Sequence, residues 1–136
     1  MHQLPVPIHL AFRKHSNLGF LGQDHADWEG AIFQFEWCRE LLKFSRTAIE
    51  KESFDWLLVW ADIPLAQLYE FRRMEFRKAL DIWKEIFCLV PRDGNATYMV
   101  IAINFHIYAG MYQCAVTDYP DFKDQSSGNF ARKVCW

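Results

Sequence analysis

His25 stands between Asp24 and Asp27, and an imidazole oriented by a carboxylate is the arrangement of a general base. The same residue types also open helices, with aspartate as the N-cap, and capping is the expected use of this cluster. A second chemically capable position is His106 in "INFHIYAG", within the most apolar part of the chain, with Asn104 before it and Tyr108 and Tyr112 after it. A histidine there is either a satisfied core residue or, with the two tyrosines, one wall of a small-molecule pocket. Asp55 and Asp62 flank Trp56 and Trp60 and offer acid or base groups, although pairing with Arg72 is the simpler use. His2, His9, His15 and His25 lack the i, i+4 spacing of a metal pair, and Cys38, Cys88, Cys114 and Cys135 contain no CxxC, so no metal site and no cofactor is implied. With no phosphate loop, HExxH or nucleophile elbow in the chain, catalysis is not the first expectation.

Those side chains need a scaffold, and the composition supplies one. Of 136 residues, 51% are hydrophobic and 17% aromatic, enough for one domain with a sizeable core and too few for two. A formal charge of −2 gives no general attraction to nucleic acid or acidic lipid. The cluster Arg72, Arg73, Arg77 and Lys78 is interleaved with Glu70, Glu75, Asp81 and Glu85, as on a solvated helix face. The opening residues lack the cationic start and apolar run of a signal peptide, and unpaired cysteine spacing fits a reducing compartment, so a cytoplasmic location is expected. The uncharged run from Asn95 to Thr117 is long enough to span a membrane, but Asn104, His106 and Gln113 interrupt it, and a buried segment is expected instead.

Residues 1–24, with Pro5, Pro7, Gly19 and Gly22, read as an extended arm carrying one short strand near Ile8 to Phe12. Residues 25–120 form the helical domain and 121–136 a C-terminal tail. Trp28, Ala31, Ile32, Phe35, Cys38, Leu42 and Ile49 follow helical spacing after a cap at Asp24 or Asp27. Phe33, Trp37 and Phe44 form a second stripe around the same helix, either packed by a neighbouring element or exposed as a partner-binding strip. "SFDWLLVWADIP" predicts a short helix capped at Ser53 and closed before Pro64, with another starting there. A turn near Arg72 to Met74 keeps Arg72 out of the apolar line of Leu68, Ala79, Trp83 and Ile86. "VPRDGNAT" breaks the chain again, with Asn95 or Thr97 as the next cap. Residues 98–117 suit a helix or, through alternating Met99, Ile101, Ile103, Phe105 and Ile107, a β-hairpin turning at Ala109-Gly110.

An internal echo favours the helix. Leu65, Ala66, Tyr69, Phe76, Ala79 and Trp83 recur 36 positions on as Ile101, Ala102, Phe105, Tyr112, Ala115 and Tyr119, small against small and aromatic against aromatic. "Phe76-x2-Ala79-x3-Trp83-x2-Ile86-x4-Pro91" resembles the second helix and closing proline of a tetratricopeptide repeat, and "Gly110-x-Tyr112-x2-Ala115-x3-Tyr119" the turn and second helix of the next. The resemblance covers about residues 62–120, with a spacing that departs from the family by one residue and no glycine at the first turn. It implies a scaffold that binds peptides or proteins and has no catalysis of its own.

The expected fold is therefore all-α, a compact array of antiparallel helical hairpins with an irregular N-terminal arm, the alternative being α+β with a C-terminal β-hairpin. The expected function is a protein–protein interaction module, such as an adaptor or a small inhibitor or immunity-type protein. It would bind a protein or peptide through Phe33, Trp37 and Phe44, with neither nucleic acid nor membrane as partner and with homo-oligomers allowed. The alternative is a small-molecule-binding or enzymatic domain with its pocket at His106, Tyr108 and Tyr112.

Overall fold

The computed structural model describes residues 6–91 and 96–118. Five α-helices make it up: α1 (Val6–Asp24), α2 (Trp28–Phe44), α3 (Lys51–Phe71), α4 (Phe76–Leu89) and α5 (Thr97–Asp118), with a 3₁₀ turn at Arg46–Ala48. No strand occurs among the described residues. Each helix packs chiefly on the next in the chain, so α1 and α5 close the two ends of a serial array.

The helix-forming patterns account for most of this. Asp27 caps α2, its carboxylate accepting from the Gly30 N–H at 2.9 Å, and Ala31, Phe35, Cys38 and Leu42 then fall on one buried face. α4 is the most strongly two-faced helix, with Ala79, Leu80, Ile82, Trp83 and Ile86 buried and Arg77, Lys78, Asp81 and Lys84 exposed. The core has two parts. One joins Phe35, Leu65, Ala66, Trp83, Ile86 and Ile103 across α2 to α5; the other joins Phe12, Cys38, Leu42, Phe54 and Leu58 across α1 to α3.

Several sequence expectations are corrected. Residues 6–24 are not an extended arm with a strand; they are α1. Pro7 lies in its first turn, where its missing N–H has no intrahelical partner to lose, and the glycines serve packing. A Cβ at Gly19 would meet the ring of Phe35 at 2.7 Å, so glycine there is what lets α1 lie against α2. Pro64 does not close a helix either, for α3 runs through it. The missing hydrogen bond is outweighed because Val59, Ala61, Leu65, Ala66 and Leu68 on both sides of Pro64 are buried in the core. Glu50, not Ser53, holds the N-cap position of α3.

The turn at Arg72 to Met74 separates α3 from α4 as expected. It uses no glycine, and Met74 itself takes a left-handed φ of 52°. Residues 98–117 are one helix rather than a β-hairpin. For the same reason the echo does not repeat a hairpin: its first copy is the α3–α4 corner, and its second is the straight α5, with Gly110 inside the helix. Gly110 serves contact, since a Cβ there would sit 3.5 Å from Leu80 Cβ on α4. The Asn95 cap, Tyr119 and the tail 121–136 lie outside the described residues.

Candidate interaction surface and polar clusters

On α2 the stripe lies opposite the buried face and is uncovered: Phe33 is 60%, Trp37 48% and Phe44 91% exposed. Among the described residues Phe33 and Phe44 are thus largely open, while α1 packs against one side of Trp37. Trp37 is nonetheless held in place. The His15 ring on α1 lies 5.2 Å from it and that of Phe33 6.2 Å, and His15 Nδ1 is in turn 2.6 Å from Gln34 Oε1. A large ring with one face supported and the other open loses little freedom on docking, which is the condition under which aromatic side chains anchor partners. Leu18 and Leu21 on α1 are exposed as well.

His25 carries no general-base geometry. Its Nδ1 is 2.9 Å from the Leu21 carbonyl oxygen at the end of α1, and Asp27 is occupied as the cap of α2. Asp24 lies at the end of α1. The cluster is a helix junction, as its residue types suggested.

His106 is stacked on Trp83, ring centroids 4.3 Å apart and planes 7° from parallel, with Phe71 and Phe105 edge-on at 6.0 and 6.1 Å. Its Nδ1 lies 3.0 Å from Glu70 Oε1, which also accepts from the Trp83 indole N–H at 2.9 Å. One carboxylate thus fixes both rings across α3, α4 and α5. Both the ring face and Nδ1 of His106 are thereby engaged within the protein. Helical geometry turns Tyr108 and Tyr112 to other sides of α5 than His106, and both are half-buried there.

A third cluster escaped the sequence. Asp62 on α3 is fully buried, and Arg39 on α2 bridges it to Glu85 on α4, with Nε 2.6 Å from Asp62 Oδ1 and Nη2 2.5 Å from Glu85 Oε2. Lys43 adds a longer contact to Glu85 at 3.7 Å. The Asp62 contact lacks hydrogen-bond alignment, since neither Asp62 oxygen nor Arg39 Nε meets a hydrogen-bond partner among the described residues. Burial pushes the Asp62 carboxyl up to about 8, with Arg39 pulling against it and Glu85 adding to it. Asp62 therefore pairs with Arg39 rather than Arg72, whose guanidinium covers the Trp28 ring at 4.0 Å; Asp55 pairs with Lys51 at 3.6 Å. Beside this cluster an open cleft of about 370 Å³ is lined by Glu36, Arg39, Tyr69, Lys78, Asp81, Ile82 and Glu85. Within it the Tyr69 hydroxyl donates to Glu36 at 2.5 Å and Arg39 pairs with Glu85. The signal in the sequence was Asp62 itself, a carboxylate four residues after Leu58 and three before Leu65 on an apolar line.

Cys38 and Cys114 are buried free thiols, and Cys88 is an exposed one. Burial pushes the Cys38 thiol up to about 12, which makes it an inert core group. No group of three or more metal-ligating side chains occurs among the described residues. No family model, curated protein or solved structure matches the chain.

Proposed function

We propose that the chain is a protein-binding module that docks a partner protein on the α2 stripe of Phe33, Trp37 and Phe44. The observation that carries this reading is the exposure of all three rings on one helix face, together with the support that His15 and Gln34 give Trp37. Uncovered aromatic side chains are costly in water, and a pre-positioned tryptophan among them is the composition of a binding hot spot. The tetratricopeptide-like resemblance enters only through what it implies, a scaffold for a protein or peptide without catalysis. An adaptor, an inhibitor and an immunity-type protein all act in this way. The competing enzymatic reading loses support because His106 is engaged within the protein and His25 is a helix junction.

The test is a photoactivatable phenylalanine in place of Phe44, irradiated in the native cells, with the same group in place of the exposed Glu52 on α3 as control. A discrete protein adduct at 44 and none at 52 supports the proposal. Equal labelling at both positions, or none at 44, overturns it.

A further inference from the structure

A different surface carries a second inference. α5 contains no Asp, Glu, Lys or Arg from Thr97 to Thr117. It packs on α4 through one face, on which Ile103, Gly110 and Cys114 are buried and Ile107 is half-buried. Helical geometry places Tyr98, Ile101, Ala102, Phe105, Ala109, Tyr112 and Val116 on the opposite face. Tyr98 is 87% and Phe105 70% exposed, and Ile101 and Ala102 are exposed with them. The face has a seven-residue repeat: aromatic rings at 98, 105 and 112, and small residues at 102, 109 and 116. A hydrophobic period of seven is the pattern of a helix that pairs with another helix along its length.

We infer that this face pairs with the same face of a second copy of the chain, the two α5 helices lying antiparallel across a two-fold axis. Three observations favour a copy over other occupants. The face sets the rings at 98, 105 and 112 against the smaller Ala102, Ala109 and Val116, so it presents knobs and holes that fit each other when one copy is turned onto another. It carries no charge, so self-pairing brings no like charges together, and it offers a charged partner no complement. Its area is also of the right order. Exposed Tyr98 and Phe105 present on the order of 300 Å² if a whole aromatic side chain counts about 200 Å². Exposed Ile101 and Ala102 and the half-buried Tyr112 extend this toward the roughly 800 Å² per partner of a stable interface.

By length and composition α5 also meets the requirement for a membrane span, with only 17% of its apolar window buried. Against insertion stands α4, packed along α5 and bearing Arg77, Lys78, Asp81, Lys84 and Glu85, which hydrocarbon would have to accommodate.

The test is sedimentation equilibrium of the full chain up to about 100 µM, beside Phe105→Glu and Ala102→Glu, both at exposed positions, and Trp37→Ala. The inference predicts a dimer for the unaltered chain and for Trp37→Ala. Both glutamate variants should dissociate at least about tenfold more readily while keeping their helical circular dichroism. A monomer at the highest concentration overturns it, and if that monomer co-sediments with phosphatidylcholine vesicles, the occupant is a bilayer. A dimer that both glutamate variants leave intact overturns it equally, by placing the contact elsewhere.

Discussion

Asp62 shows how one side chain sets a property of the whole domain. Its folded-state value near 8 lies above the value of about 4 for an unfolded aspartate. Between those limits the native state holds the extra proton, so stability falls as pH rises from about 4 to about 8 and levels off above. The attraction of Arg39 is already contained in that folded-state value, and it narrows the pH window over which the proton is held rather than changing the direction of the slope. Asp62→Asn removes this dependence, and urea unfolding of both proteins between pH 5 and 9 checks it. The difference in slope should vanish above pH 8, whatever the offset between the two curves. Gly19 makes a second residue-scale case. Gly19→Ala adds about 1 kcal/mol of helix propensity, yet its methyl would overlap the ring of Phe35, which is buried on all sides. A net loss of about 1 to 3 kcal/mol is expected, seen as a lower melting temperature.

At the scale of elements, the turns carry strain that can be relieved. Ala26 and Met74 have φ of 56° and 52°, and a left-handed conformation costs a non-glycine residue about 1 to 2 kcal/mol. Met74→Gly should raise stability by about 1 kcal/mol, and Ala26→Gly likewise; chemical unfolding measures both. Ala79 is buried between helices whereas Ala115 is half-buried. Ala79→Leu should accordingly destabilise by about 1 to 3 kcal/mol and Ala115→Leu by much less. These elements also mark how far the sequence was legible. α2 and α4 could be read because their apolar residues recur at helical spacing against charged faces, and the α3–α4 turn because a continuous helix would have buried Arg72. α1 was hidden because glycine and proline signal breaks locally, while the contact that makes Gly19 useful lies on another helix. Pro64 misled for the same reason, since burial of its neighbours decides the outcome. α5 looked like a repeat because 36 residues are ten helical turns, so any two in-phase helical stretches match at that shift.

At the scale of the molecule, a serial array buries one face of each terminal helix, and exposed apolar side chains remain on α1 and α3 as well as on the α2 stripe and the α5 face. The stripe Phe33, Trp37 and Phe44 was legible as a set, because three rings on one side of a helix stand out in its spacing. Its exposure was not, since that depends on α1 packing beside it rather than over it. The Arg39–Asp62–Glu85 cluster was invisible because it joins three helices through residues 23 positions apart at each step. The central claim is that the stripe binds a partner, and the variant that separates binding from folding is Trp37→Ala. With the partner identified by crosslinking at Phe44, its dissociation constant and the melting temperature are measured on the same preparation. The account predicts binding weakened at least about tenfold, or about 1.4 kcal/mol, with stability changed by less than about 1 kcal/mol. Unchanged affinity would contradict it, as would a loss of about 3 to 5 kcal/mol of stability, the signature of a core tryptophan.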